Sequence, residues 1–321
     1  MKRYTVPHTD LEVSRIAYGC MHLGRWNQEP VTEEERRAAV EVVCTAYDAG
    51  VNLFDHADIY AYGKSEEAFA AVWSEIPRES VVLQSKCGII LADDPRFEGP
   101  GRYDFSYQHI VKSVDGILRR LQTDYLDVLL LHRPDPLMEP EEVARAFDEL
   151  QRAGRVRAFG VSNHSAAQIE LLQAVVDQPL VINQLELSLL HNHLIDDGVM
   201  VNVTGGPVAR TDGLLEYCRR NGVLLQAWSP VAGGRLFNPP DDAEPRCKAT
   251  AELLAQMAAE KNASAGAIAL AWLLRHPAGI QPIIGTTRPA RVRAAVPADD
   301  VHLSRAEWYD LFTAARGGPV P

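Results

Sequence analysis

Eight times along the chain a short run of β-forming apolar residues gives way to a stretch with helical spacing, and this alternation limits the possible folds severely. Strands are expected at Ile16–Gly19, Val51–Phe54, Ser80–Lys86, Leu126–His132, Ala158–Ser162, Val181–Leu185, Val223–Trp228 and Gln281–Gly285. Leu126-Asp-Val-Leu-Leu-Leu is almost continuously apolar, as a parallel strand covered on both faces must be. Helix signals fall between the strands: Thr32 with Glu35 spells a capping box, and Gly50, Gly154 and Gly222 close helical stretches. Repetition of the unit predicts a parallel α/β fold, and eight units predict closure into a barrel. A doubly wound sheet would compete, but no G-x-G-x-x-G follows a strand. Residues 1–14 read as a hairpin ahead of the barrel, with extra helices near 248–261 and 304–315, and a longer irregular excursion through Gly205-Gly-Pro207 after the sixth strand. No Pro/Gly/Ser-rich linker interrupts the chain, so residues 1–321 read as one (β/α)8 TIM-type barrel domain.

Composition narrows the partners. A formal charge of −11 and a pI near 5.4 argue against a nucleic-acid or anionic-membrane binder. No apolar run approaches the roughly 18–20 residues of a membrane span, and the first residues lack the apolar core of a signal peptide. Cys20, Cys44, Cys87, Cys218 and Cys247 are odd in number and form no C-x-x-C pair, which predicts reduced thiols and a cytoplasmic setting.

In a barrel the strand C-termini converge on one face, so residues that end different strands become neighbours. Asp55, Lys86 and His132 end strands two, three and four, and Tyr60 lies in the loop after Asp55. Each alone reads as an ordinary loop or edge residue; three on adjacent strands form a constellation. A phenol titrates near 10, too high for ready proton donation at neutral pH. A neighbouring ammonium favours the phenolate and is expected to lower that value. A carboxylate paired with the lysine would hold it in place, and a histidine beside the phenol could relay a proton or orient a carbonyl oxygen. This set suits carbonyl reduction, where oxygen gains negative charge as hydride arrives.

Phe-Asp55-His-Ala-Asp-Ile-Tyr60 resembles the D-x-A-x-x-Y signature of the aldo-keto reductases, and Lys86 and His132 fall where that family completes its catalytic tetrad. His132-Arg-Pro-Asp-Pro-Leu-Met138 and Gly234-Arg-Leu-Phe237 are similar to its bacterial YdhF-like branch. The resemblance covers essentially the whole chain. It implies nicotinamide-dependent reduction of a small aldehyde or ketone, with Tyr60 as general acid, Asp55 and Lys86 tuning it, and His132 orienting the substrate. Tyr62 is a nearby rival for Tyr60 but breaks the motif's spacing.

The same resemblance implies cofactor positions. Ser162, Asn163 and Gln184 look like the residues that bond the nicotinamide carboxamide, and Trp228 like the ring that stacks on it. Gly19, Met21 and Asp55 lie at the ends of the first two strands, beside the cofactor. Ser229, Val231, Gly233 and Gly234 would let backbone approach the pyrophosphate in the loop after strand seven, and Arg235 beside them joins the cofactor set. Arg291 with Thr286, and Arg288 beside them, suits the 2′-phosphate of NADP(H) and favours it over NAD(H), with Gly285 adjoining them in the cofactor set. Here the chain departs from the family: Gly285 stands where many members carry lysine, and Ala294 and Ala295 replace an acidic residue and an asparagine that usually contact adenine.

Two rivals remain in the sequence. His191-Asn-His193 and His22 raise a metal-dependent barrel hydrolase, although no further ligand is evident, and no metal is expected. A non-enzymatic nicotinamide-binding regulatory barrel is the other, disfavoured by the intact Asp55/Tyr60/Lys86/His132 set. Substrate walls are expected from 21–26, 87–103 and 189–210, with Trp26, Tyr60 and His132 touching the carbonyl compound and Phe97 a further candidate. A monomer is the expected state.

Overall fold

The computed structural model describes residues 1–201, 203 and 211–321. Eight parallel strands close into a barrel: β1 (Ala17–Gly19), β2 (Leu53–Asp55), β3 (Val82–Cys87), β4 (Leu126–Leu131), β5 (Val156–Ser162), β6 (Leu180–Glu186), β7 (Leu224–Trp228) and β8 (Gln281–Ile284). Closure is made by β8 on β1, with Ile283 opposite Ala17 and Ile284 opposite Tyr18. Every expected strand is found, with ends shifted by a few residues; β5 begins at Val156, before the expected Ala158. Near its start, pairing with β6 slips in register between Leu180 and Asn183.

The helices form where the sequence supplies caps. The side chains of Thr32 and Ser165 start α1 (Glu33–Asp48) and α5 (Ala166–Gln173) through reciprocal capping boxes with Glu35 and Gln168. Ser106 caps α3 (Tyr107–Leu121), and Pro140 opens α4 (Pro140–Arg152), where its missing N–H costs nothing. α2 (Lys64–Phe69) tightens into a 3₁₀ turn over Ala70–Ser74. α7 (Leu214–Asn221), α8 (Pro245–Glu260), α9 (Ala265–Leu274), α10 (Pro289–Ala295) and α11 (Arg305–Arg316) complete the expected set. The irregular excursion after β6 instead contains α6 (His193–Val199), while 202 and 204–210 lie outside the described residues. The long loop after β3 carries a small hairpin, Ile89–Ile90 with Arg102–Tyr103, that was not expected.

Two apolar cores result from the two-residue period of the strands. In β3, Leu83 and Cys87 face the helices, whereas Val82 faces the barrel axis. The lower interior is filled by Ala17, Leu53, Val82, Val128, Leu130, Ile182, Leu224 and Ile283. The N-terminal hairpin, Arg3–Thr5 with Glu12–Ser14, seals this end by packing Val6, Leu11 and Val13 on it. No described helix is long and apolar enough to cross a membrane.

Candidate active site

Asp55, the last residue of β2, and Lys86, the penultimate residue of β3, meet inside the barrel mouth. Lys86 Nζ donates to both Asp55 carboxylate oxygens at 2.8 Å, to the His56 carbonyl at 2.7 Å and to Tyr60 Oη at 3.1 Å. The pair is buried, so loss of either member would strand a charge. Tyr60 reaches the ammonium because the chain after it turns sharply: Ala61, Tyr62 and Gly63 all take left-handed conformations, with φ of 50°, 58° and 89°. Tyr62 turns outward, donating to Asp93 at 2.6 Å and packing edge-on against Trp26. Thus Tyr60, not Tyr62, lies beside Lys86. The His132 ring stands nearly perpendicular to that of Tyr60, with centroids 6.1 Å apart.

Burial changes the expected titration. It outweighs the Lys86 ammonium, and with Asp55 also opposing ionisation the Tyr60 phenol lies above its ordinary value. The resting group is therefore a neutral phenol whose oxygen already accepts from lysine, which leaves its own proton to be donated. Burial works against the charge on Lys86 as well, but Asp55 and Tyr60 more than offset it and raise its pKa. Burial, then Lys86 and Arg133, push His132 well below the usual imidazole value, so it is neutral.

Beneath this cluster lies a belt of glutamines. Asp55 Oδ1 accepts from Gln84 Nε2 at 2.6 Å and from Gln184 Nε2 at 3.1 Å. Gln84 and Gln184 also donate to Gln226 Oε1, Gln226 donates to Gln281, and Gln281 donates to the Ser14 carbonyl in the N-terminal hairpin. Gln84, Gln226 and Gln281 were not recognised from sequence. The available signal was a polar residue two positions before Lys86 and Trp228 in otherwise apolar strands.

A cavity of about 1030 Å³ opens above the cluster. Its walls include Gly19, Met21, Trp26, Asp55, Tyr60, His132, Ser162, Asn163, Gln184 and Trp228. Ser229, Val231, Gly233, Gly234, Gly285, Thr286, Arg288 and Arg291 continue it to the far end. Lys86 sits behind Asp55 and Tyr60, outside the lining. Arg235 is turned away, its guanidinium donating to the Ala232 carbonyl at 3.2 Å. Phe97 packs on His109 and Arg96 instead of lining the cavity, and of 87–103 only Ile89 does so. No described residue of 189–210 reaches it. Unforeseen walls come from Arg133, Phe237 and the start of α9, Ser264–Gly266.

Asn163 and Ser229 hold left-handed conformations at the ends of β5 and β7, with φ of 62° and 51°. Asn163 donates to Ser162 Oγ at 2.7 Å and accepts from Trp228 Nε1 at 3.3 Å, which ties the ring to the polar wall. Gly160 is required below: a Cβ there would stand 2.7 Å from the Ile182 carbonyl oxygen. The rings of His191 and His193 lie 5.0 Å apart, with His191 Nδ1 3.9 Å from Glu186. Among the described residues no group of three or more His, Cys, Asp or Glu side chains is placed to hold a metal.

The aldo/keto reductase family model matches residues 15–314. The chain is 39% identical to the oxidoreductase YdhF of Escherichia coli over the full length of both chains. It is 35% identical to a 6-dehydroglucose reductase of Agrobacterium fabrum, covering 97% of each. Its fold is similar to that of the thermostable aldo-keto reductase Tm1743, with a TM-score of 0.78, 26% identity, and coverage of 98% of this chain and 100% of that one. A closed barrel bearing Asp55, Tyr60, Lys86 and His132 at its mouth, matched by that family along nearly its whole length, belongs to the aldo/keto reductases.

Proposed function

We propose that the chain is an NADP(H)-dependent oxidoreductase that reduces an aldehyde or ketone to an alcohol, with Tyr60 as the proton donor. The observation that carries this reading is the hydrogen bond from Lys86 Nζ to Tyr60 Oη at the floor of the cavity. Because the phenol oxygen accepts there, its O–H is free to point at a substrate oxygen. Donation leaves a phenolate, which the ammonium 3.1 Å away stabilises, while Asp55 and the glutamine belt hold that ammonium in position. Neutral His132 offers a second polar group beside the carbonyl without competing as an acid.

The residues present fit a nicotinamide dinucleotide. The cavity has the volume for one, and at Gly233 a Cβ would meet nothing within 4 Å, which leaves backbone open to a pyrophosphate. Ser162, Asn163 and Gln184 would hold the carboxamide, Trp228 would flank the ring, and Thr286, Arg288 and Arg291 would hold the 2′-phosphate. When bound, the reduced nicotinamide supplies the hydride that the carbonyl carbon receives. Five free cysteines support a reducing, cytoplasmic compartment, and a monomer is the proposed working unit.

The test is Tyr60→Phe, assayed with NADPH against a panel of aldehydes, including the sugar aldehyde class named by the Agrobacterium relative. Turnover is expected to fall by about 10²–10⁴-fold. NADPH binding, read from quenching of tryptophan fluorescence, should persist. Full activity in this variant would remove Tyr60 as the acid, and failure of the wild type to bind either NADPH or NADH would remove the reductase reading.

A further inference from the structure

Among the described residues three guanidiniums of the cavity wall, Arg133, Arg288 and Arg291, have no carboxylate partner, and of these only Arg133 is half-buried. Asp55 is paired with Lys86. Arg288 and Arg291 stand beside Thr286, at the end assigned above to the cofactor phosphate. Arg133 follows His132 directly, on the loop that leaves β4, the strand across the barrel from β8. It is half-buried, and its guanidinium carbon lies 5.8 Å from the centre of the Trp228 ring. It is close enough to His132 to disfavour protonation of that ring.

Among the described residues no carboxylate pairs with Arg133. Its neighbour on the loop, Asp135, is committed elsewhere, accepting from the backbone N–H groups of Phe105 and Leu137 at 2.9 Å. Other part-buried arginines behave differently: Arg15 pairs with Asp299, Arg78 with Asp127 and Arg120 with Glu66. A cation removed from bulk water is normally matched by an anion, and a guanidinium presents a planar fork suited to a carboxylate. The ring of Trp228 offers the guanidinium a π face but no hydrogen-bond acceptor for its fork of N–H donors.

We propose that Arg133 receives a carboxylate carried by the substrate, so that the compound reduced at Tyr60 is an oxo acid. This inference rests on the reductase reading above. The carbonyl would be held at Tyr60 and His132 and the carboxylate at Arg133, two anchors that together fix the orientation of a small molecule in a wide cavity. The chemistry is unchanged: the carbonyl carbon gains hydride from the reduced nicotinamide, its oxygen gains the Tyr60 proton, and the carboxylate is a spectator.

The experiment uses matched pairs that differ only in charge. 4-Carboxybenzaldehyde is compared with its methyl ester, and succinic semialdehyde with its methyl ester, all with NADPH. Wild-type kcat/KM is expected to favour the acids by about ten- to a hundredfold, with most of the difference in KM. Arg133→Gln should bring the acid-to-ester ratio close to one, and Arg133→Lys should keep part of the preference. Benzoate should inhibit the wild type more strongly than Arg133→Gln. If Arg133 only propped Trp228, acids and esters would lose activity alike and the ratio would stand, which overturns the proposal. A fall in NADPH affinity that parallels the loss of acid turnover also overturns it, by making Arg133 a cofactor contact. Equal wild-type turnover of acid and ester removes this proposal alone. Absence of turnover on both pairs, with no NADPH binding, removes the reductase reading and this proposal with it.

Discussion

Gln84 and Gln226 hydrogen-bond to each other in both directions across the barrel interior, Gln84 Nε2 donating at 2.8 Å and Gln226 Nε2 donating back at 3.1 Å. Both side chains are fully enclosed. The pair connects Asp55, through Gln84, to the N-terminal hairpin, through Gln281 and the Ser14 carbonyl. The carboxylate that positions Lys86 is thus held from below as well as from the side. Gln84→Leu leaves polar atoms of Gln226 and Asp55 short of partners, and is expected to cost about 1–3 kcal/mol of stability. Gln84→Leu combined with Gln226→Leu should cost less than the two single changes together, by about 1 kcal/mol, because the orphaned partner goes too. Urea unfolding of the four proteins measures this coupling, and strict additivity would show the pair to be independent.

Acid stability follows from three buried histidines. Burial holds His56 at about 3 and His164 at about 4, against an ordinary 6.5, and His132 is also well below it. The unfolded chain therefore binds more protons below about pH 6.5 than the folded one does, so stability is complete above that pH and is lost as pH falls. Each such histidine contributes about 1.4 kcal/mol per pH unit. Asp58 has the opposite sign: burial, then Glu66, raise its carboxyl to about 7. It holds a proton that the unfolded chain has released between about pH 4 and 7, gains stability on acidification and cancels one histidine. The net expectation from these four groups is a loss of about 3 kcal/mol per pH unit between about pH 6 and 4, and His276, held at about 4 by burial, adds to it in the same direction. Urea midpoints at a series of pH values test it, and a flat profile would contradict the burial of these rings.

The end of the cavity proposed for the cofactor phosphate offers a gain of function. At Gly285 an added Cβ would meet only the Gly19 carbonyl oxygen, at 3.9 Å, so a longer side chain has room. Gly285→Lys should tighten NADPH by about tenfold, the equivalent of one added phosphate contact, and leave NADH nearly unchanged. Arg291→Ala should weaken NADPH by a similar factor. Raised salt should narrow the gap between the two cofactors. Fluorescence titrations at two salt concentrations supply the comparison; equal effects on NADPH and NADH would place the 2′-phosphate elsewhere.

Gly88, one residue past β3, joins the strand that carries Lys86 to the small hairpin. Its φ is +102°, and a Cβ there would lie 2.0 Å from Cε1 of buried Phe105. Gly88→Ala combines left-handed strain with overpacking and should destabilise the protein by about 3 kcal/mol. Thermal unfolding measures the loss. An unchanged Tm would mean that Phe105 and the hairpin shift at no cost.

The barrel itself was legible in the sequence because each strand–helix unit obeys local rules: apolar runs such as Leu126–Leu131, capping boxes at Thr32 and Ser165, and glycines behind helices. Asp55, Lys86 and His132 were equally legible as candidates, since placement at a strand end needs only the strand boundary. The sequence alone did not reveal the glutamine belt, whose members are 42 and 142 residues apart along the chain and meet only when the sheet closes. Nor could it give the titration of Tyr60. Charge proximity argued for a lowered pKa, but the completed barrel buries the phenol, and desolvation outweighs the ammonium. Arg235 and Phe97 had suitable chemistry and turn away, while Arg133, unremarkable in sequence, enters the cavity without a carboxylate partner. Local sequence determines which elements form and what ends them. Which side chains share an interior, and how much water remains there, depends on long-range closure, and only the tertiary structure decided it.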